Sequence, residues 1–245
     1  MAPTLLLSDL HLSPSRPHAV AAFEAFARGP ARRAAAVYIL GDLFDWWVGD
    51  DQLRGAFDGR VAAVLRGITA AGVPLFVGHG NRDFLLGDAF AAATGATLLA
   101  EHTVTEVGGV ATLLTHGDEL CTDDHAYQAY RAKSRNPQWQ RRMLRKPFWL
   151  RRAFALYLRL RSRAANAQKP ETIMDVNPGA VADAFRRHDV ARIVHGHTHR
   201  PAAHEHVVDG KPRERHVLAA WHDDGQYLEI DDAGVRERTV TGDTT

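Results

Sequence analysis

The chain has 245 residues, 45% of them hydrophobic and 24% charged, with a formal net charge of +1. That composition is ordinary for a soluble globular protein, with no internal repeat or low-complexity segment, while the single cysteine, Cys121, excludes an internal disulfide framework. No stretch approaches the roughly 18 uninterrupted apolar residues of a membrane-spanning helix, and no secretory leader pattern opens the sequence, so an intracellular protein, soluble or peripheral, is expected.

Thr4-Leu5-Leu6-Leu7 reads as a buried strand running into Ser8-Asp9-Leu10-His11, and His18 to Arg28 carries helical apolar spacing through Val20, Phe23 and Phe26. Val37 to Leu40 predicts a second strand that stops at Gly41-Asp42, followed by an apolar loop, Trp46-Trp47-Val48, expected to pack. Phe57 to Ala71 reads as a helix, Val73 to Val77 as a third strand leading into Gly78-His79-Gly80-Asn81-Arg82-Asp83, and Asp83 to Thr94 as a third helix. Strand alternating with helix predicts a parallel sheet built by right-handed crossovers.

From Thr97 the pattern changes to strands without helices between them: Thr97 to Leu99, Thr103 to Val107 and Val110 to Thr115, with Gly108-Gly109 as a hairpin turn. Thr115-His116-Gly117-Asp118 closes this run. Between His125 and Pro170 there is no acidic residue and there are 13 of the 30 Lys and Arg; the rest of the chain then holds 17 basic against 29 acidic residues, a balance of −12. Such segregation predicts a basic module facing phosphate, nucleic acid or a lipid surface. Asn136-Pro137 and Lys146-Pro147 divide Thr122 to Arg163 into three helices. Asn177 caps a further helix that runs through His188, with Pro178 at its first position. Ala191 to Val194 is a buried strand ending in His195-Gly196-His197-Thr198-His199, and Ala203 to Val240 reads as successive strands.

Five strand ends therefore carry polar clusters. Asp9 and His11 lie two apart, as do His197 and His199, so on an extended segment each pair points one way. With Asp42, Asn81 and His116 they make seven oxygen and nitrogen donors. That is too many for one four-coordinate zinc and suits two metals sharing a carboxylate, the usual device for hydrolysing phosphate esters. The mixture of imidazole with carboxylate and amide oxygen favours Mn²⁺ or Fe²⁺, without excluding Co or Zn.

The order Asp-Leu-His, Gly-Asp, Gly-Asn, His-Gly-Asp, Gly-His-Thr-His resembles the calcineurin-like metallophosphoesterases. The resemblance implies an α/β fold, the four-layer α/β/β/α sandwich of that superfamily, as a single domain over residues 1–245 with a helical cap inserted at about 122–170. It also implies that Asp9, His11, Asp42 and His199 hold one Mn²⁺ and Asp42, Asn81, His116 and His197 a second, with Asp42 as the bridge and Asp42, Asn81, Arg82 and His116 at the reaction centre. One departure matters. Most of the superfamily reads Gly-Asn-His where this chain has Arg82, and a guanidinium cannot be a general acid near neutrality but can clamp phosphate oxygens. His195 stays outside the metal set, as a ligand-orienting residue, a phosphate contact or the last residue of its strand.

Longer stretches narrow the resemblance. Gly41 to Asp51, Gly80 to Gly87, His116 to Asp124, Ile173 to Asn177 and His195 to Pro201 are similar to the UDP-2,3-diacylglucosamine diphosphatase family of lipid A biosynthesis. That similarity implies metal-activated water attack on the α-phosphorus of UDP-2,3-diacylglucosamine, giving UMP and 2,3-diacylglucosamine 1-phosphate. Asp124, Tyr127, Ser162, Asn166 and Lys169 match the family's substrate contacts, with Asn81, Arg82 and His197 nearer the metals. Phe148, Trp149, Phe154, Leu156, Tyr157, Leu158 and Leu160 lie among Arg151, Arg152, Arg159, Arg161 and Arg163, a composition suited to acyl chains or an anionic membrane surface. A peripheral place on the cytoplasmic face of the inner membrane is expected, with no nucleic-acid partner. The competing readings are a nuclease or other phosphodiesterase of the same fold, and a metal-free binding module.

Overall fold

Alternation along the short apolar runs decides the layering of this computed structural model, which describes residues 2–166, 175–222 and 224–241. In β1 (Thr4–Leu7), Leu5 and Leu7 enter one buried cluster and Leu6 another; in β2 (Ala36–Ile39), Val37 and Ile39 side with the first and Tyr38 with the second. Successive side chains of a strand point to opposite faces, so each of these runs is buried on both. The first cluster packs the sheet against α1 (Pro17–Arg28), α2 (Ala56–Ala70) and α3 (Asp88–Thr94) through Phe23, Phe26, Leu65, Ile68 and Phe90. The second lies between two sheets, where Leu6, Tyr38 and Leu40 meet Leu114 and Val194.

The first sheet has the order β11-β10-β1-β2-β3-β4, with β3 at Leu75–Val77, β4 at Thr97–Leu98, β10 at Asp224–Asp231 and β11 at Gly234–Thr241. Its four N-terminal strands run parallel, and β10 lies antiparallel beside β1. The second sheet is β5-β6-β7-β9-β8, comprising β5 (Thr103–Val107), β6 (Val110–Leu114), β7 (Arg192–His195), β8 (Ala202–Val208) and β9 (Lys211–Val217). Its outer face is covered by α7 (Pro178–His188), whose Val181, Ala184 and Phe185 meet Leu113, Ile193 and Val208. The result is the expected α/β/β/α sandwich.

Between the halves come α4 (His125–Ser134), α5 (Pro137–Leu144) and α6 (Phe148–Asn166). Local chemistry sets their starts. The Asp124 carboxylate accepts the Tyr127 N–H, Asn136 accepts those of Gln138 and Trp139 ahead of a Pro at the first position, and Asn177 does the same for α7. Among the described residues no helix is long and apolar enough to cross a membrane.

One expectation shifts. The helix expected from Asp83 begins only at Asp88, because Asp83 is drawn away to accept loop N–H groups and the new start is capped from a distant loop: Asp50 accepts the N–H of Gly87 and of Phe90, each at 3.0 Å. His195 is the last residue of β7, one of the readings left open for it. Trp47 packs in the core against Phe44 and Phe90 as expected, whereas Trp46 lies half-buried under the Arg152 guanidinium, 4.9 Å from its ring centre.

Candidate metal centre

Each candidate ligand leaves the carboxyl end of a strand. Asp9 and His11 follow β1, Asp42 follows β2, Asn81 follows β3, His116 follows β6, and His197 and His199 follow β7. These loops are not extended. Asp9, His11, Asp42, His197 and His199 have φ between 47° and 68°, and they are five of the seven non-glycine residues with left-handed φ among the described residues. Period-two spacing is therefore not why each pair converges; left-handed turns at the ligand positions are. Such backbone costs about 1–2 kcal/mol per residue and persists only where the surroundings enforce it.

Those surroundings are specific. Asp83, fully buried, accepts the N–H of Leu43 at 2.7 Å, Gly80 at 2.8 Å, Asp42 at 3.2 Å and Phe44 at 3.4 Å, and so ties the β2 and β3 loops to one carboxylate. A Cβ on Gly80 would overlap the Asp42 carboxylate, and one on Gly196 would overlap Ser8 and Asp9. Asp9 Oδ2 accepts from Ser8 Oγ at 2.5 Å and from the His197 N–H at 2.9 Å, which leaves Oδ1 turned into the site.

All seven donors meet there. His199 Nε2 lies 3.2 Å from Asp9 Oδ1 and 3.3 Å from His11 Nε2, while His11 Nδ1 is 3.7 Å from Asp42 Oδ2. On the other side Asn81 Oδ1 lies 3.0 Å from both His116 Nε2 and His197 Nδ1, and His116 Nε2 is 3.9 Å from Asp42 Oδ1. Two groups, Asp9 with His11 and His199 and Asp9 with Asp42 and His116, hold their ligand atoms within 4.8 Å of one another. Asp9 is common to both groups, and Asp42 reaches His11 with one oxygen and His116 with the other.

The donor set fits divalent cations. His116 Nδ1 lies 2.9 Å from the Leu40 carbonyl, which can only accept, so Nδ1 carries the proton and Nε2 of the neutral ring sets a lone pair against the Asn81 oxygen. A cation would resolve that opposition; without one, a second proton on the ring or a turned Asn81 amide must. Accordingly, burial pulls His116 toward neutrality, but the Asp42 and Asp9 carboxylates outweigh it and push the ring up to about 9. Burial pushes Asp42 up to about 7, with Asp83 and Asp9 adding to the rise. Asp9 stays below the usual carboxylate range, because the His199 hydrogen bond and the surrounding imidazoles overcome its burial. Burial pulls His11 down to about 2 and His197 to about 4, leaving both rings neutral, and His11 Nδ1 is a buried nitrogen with no hydrogen-bond partner. A metal ligates neutral imidazole and ionised carboxylate, so a cation bound here would draw the extra proton from His116 and keep Asp42 ionised, while His11 and His197 are neutral already.

Arg82 stands at the rim with its side chain 36% exposed. Its backbone N–H donates to Asp42 Oδ1 at 2.9 Å, and its guanidinium donates to the buried Asp45 at 2.8 Å while lying 3.6 Å from Asp42 Oδ2. Arg159 on α6 donates to the other oxygen of Asp45. Tyr127 stacks on His197, with ring centres 5.9 Å apart, and its hydroxyl donates to the buried Asp118 at 2.5 Å; Arg131 donates to the same oxygen at 2.9 Å. Asp124 is buried, and its Oδ1 accepts the Tyr127 N–H at the start of α4. Ser162 and Asn166 fall at the far end of α6 with side chains outside the described residues, as does Lys169 entirely.

Three acidic residues escaped the sequence reading as site-builders: Asp83, Asp45 and Asp118. Asp83 and Asp118 do stand inside quoted motifs, Gly-Asn-Arg-Asp and His-Gly-Asp, but nothing local says that their carboxylates turn inward. The cap arginines also divide differently from the expectation. Arg151 is buried and donates to Asp51 and to the Lys146 and Val48 carbonyls, so it faces the protein rather than a membrane.

A model of the calcineurin-like phosphoesterase family matches residues 2–201. The chain is 47% identical over 227 residues to a UDP-2,3-diacylglucosamine hydrolase of Klebsiella pneumoniae subsp. pneumoniae, covering 93% of this chain and 94% of that protein. The protein of the same name from Cellvibrio japonicus is 47% identical over 235 residues, covering 96% and 98%. That from Escherichia coli K12 is 46% identical over 227 residues, covering 93% and 94%.

Proposed function

The chain belongs to the calcineurin-like phosphoesterase family, and from that premise we infer that it hydrolyses the pyrophosphate bond of UDP-2,3-diacylglucosamine, a step of lipid A biosynthesis. Water adds to the α-phosphorus, the bond to the bridging oxygen breaks, and that oxygen leaves with the electron pair, giving UMP and 2,3-diacylglucosamine 1-phosphate. The observation that carries the reading is the convergence of all seven donors, with imidazole lone pairs and the partnerless His11 nitrogen facing carboxylate and amide oxygens. Relatives nearly half identical over almost the whole chain, both UDP-2,3-diacylglucosamine hydrolases, supply the substrate.

In this reading Asp9, His11, Asp42 and His199 hold one cation and Asp42, Asn81, His116 and His197 the other, with Asp42 shared and Mn²⁺ the favoured metal. When bound, the pair supplies Lewis acidity and a water of lowered pKa. The chain does the rest. Leu40 fixes the His116 tautomer, and Asp83 holds the Asp42 loop still. Arg82, held by Asp45, donates to the oxygens of the departing phosphate. A proton donor is not needed at that point, because the leaving group is a phosphate monoester with a second pKa of about 6, and it departs as an anion near neutrality. That accounts for Arg82 where a general acid would otherwise stand.

The helices at about 122–170 act as a cap over a single domain. Asp124, Tyr127, Ser162, Asn166 and Lys169 are its substrate contacts, Tyr127 through its ring because its hydroxyl is bound to Asp118. Trp149, Leu156, Tyr157 and Leu160 are exposed beside exposed Arg145, Lys146 and Arg161, which supports peripheral contact with the cytoplasmic face of the inner membrane. The test is turnover of the lipid substrate in ¹⁸O-water by metal-depleted protein given Mn²⁺. The label is expected in UMP alone; label in the lipid phosphate, or cleavage of single-stranded DNA without cleavage of the lipid, would overturn the reading.

A further inference from the structure

His195 is fully buried, makes none of the contacts that join the seven donors, and touches both histidine loops from behind. Its position in β7 puts it two residues before His197, and a Cβ on Gly117, the residue after His116, would run into its ring at 2.6 Å. Its two nitrogens have different partners. Nε2 lies 3.0 Å from an Arg215 NH group and Nδ1 lies 2.9 Å from the Gly196 carbonyl.

A guanidinium only donates and a carbonyl only accepts, so the tautomer is determined: Nε2 accepts from Arg215 and Nδ1 carries the proton given to Gly196. The same carbonyl accepts the Thr198 N–H at 2.8 Å, and the Gly196 N–H donates to the His116 carbonyl at 3.0 Å. The turn gripped in this way is the one in which His197 and His199 hold φ of 68° and 56°. Arg215 is itself buried, on the β9 strand paired with β7. Its other contact is a donated hydrogen bond to His206 at 3.4 Å, and no carboxylate stands within 4.0 Å of it among the described residues. The Asp175 charge acts on Arg215 only at longer range, so burying this guanidinium against two imidazoles is costly and calls for a reason to be kept.

We infer that Arg215 and His195 form a positioning strut that locks the Gly196–His199 turn in its left-handed geometry, so that His197 and His199 meet the donors of the opposite loops. This rests on the reading of those histidines as metal ligands. Neither residue touches substrate; both act through the turn.

The test is a Mn²⁺ titration of metal-depleted protein followed by electron paramagnetic resonance, with thermal unfolding of the metal-free proteins alongside. His195→Phe keeps the ring and removes both hydrogen bonds; Arg215→Met removes the donor, and Arg215→Lys keeps one. His195→Phe and Arg215→Met are expected to bind Mn²⁺ about 10–100-fold more weakly, the usual effect of losing a partner behind a metal ligand. Excess Mn²⁺ is expected to restore most of kcat, and Arg215→Lys to stay within roughly threefold of wild type in affinity. Unchanged affinity in a folded His195→Phe, or equal losses in Arg215→Lys and Arg215→Met, would overturn the strut; should His195→Phe not fold, the two Arg215 variants decide. A wild-type chain that binds no Mn²⁺ would overturn the dinuclear reading and this inference with it.

Discussion

The strand-end rim and the α4–α6 cap are built on opposite plans. At the rim every ligand loop is held by short polar contacts to buried groups, several in strained backbone: Asp83 takes four N–H groups, Asp9 takes two donors on one oxygen, and Leu40 orients His116. The cap is instead tied down by long side chains reaching across to the body, namely Tyr127 and Arg131 to the buried Asp118, Arg159 to the buried Asp45, Arg151 to the exposed Asp51 and Arg135 to the His79 and Gly80 carbonyls, and by Trp139, Met143 and Phe154 packing on the core. Its outer face leaves Trp149, Leu156, Tyr157 and Leu160 exposed. The ligand loops are fixed by buried carboxylates and carbonyls taking backbone N–H groups and ring nitrogens, whereas the cap is fixed through flexible side chains and apolar packing, with a further apolar face left to solvent.

The contrast can be broken most sharply at Asp42, which reaches toward both donor groups. Asp42→Ala is expected to lower kcat by more than the roughly 10–100-fold that loss of an outer partner costs, with reduced Mn²⁺ content in the purified protein; normal metal content with a small kcat effect would deny its shared position. Arg82→Ala is expected to cut kcat about 100-fold while metal content stays the same, because a charge-stabilising donor is removed and no ligand is. Loss of metal in that variant would place Arg82 in the ligand framework instead.

The cap responds to different probes. Changing Arg145 and Lys146 together to Ala is expected to weaken sedimentation with anionic vesicles by about 2 kcal/mol, or roughly 30-fold, at about 1 kcal/mol per basic residue. Unchanged sedimentation would deny that this face meets lipid. Tyr127→Phe is expected to lower unfolding stability by about 1–2 kcal/mol, because Asp118 loses a donor inside the protein, with KM for the lipid substrate nearly unchanged. A large rise in KM at wild-type stability would show that the hydroxyl serves substrate rather than Asp118.

How much was legible follows the same division. The ligand loops could be read because each stands next to a short apolar run, and a run of that kind ending in glycine, carboxylate or imidazole is a local signal. The hairpin at Gly108-Gly109 and the cap boundaries at Pro137 and Pro147 were local too. The late start of α3 was not, because its cap is Asp50, 37 residues before Gly87. Nor was the inward turn of Arg151 and Arg159, whose partners lie 100 and 114 residues earlier.

The sequence by itself determined the strands, the order of the seven donors along the chain and the basic character of the cap, because periodicity, turn chemistry and charge are properties of neighbouring residues. Only the tertiary structure decided that β10 returns from the far end of the chain to lie antiparallel beside β1, that Asp83, Asp45 and Asp118 point inward, and that Arg215 stands behind His195. Those outcomes depend on which distant groups burial brings together, and a buried carboxylate or guanidinium takes its role from whichever donors and acceptors surround it there.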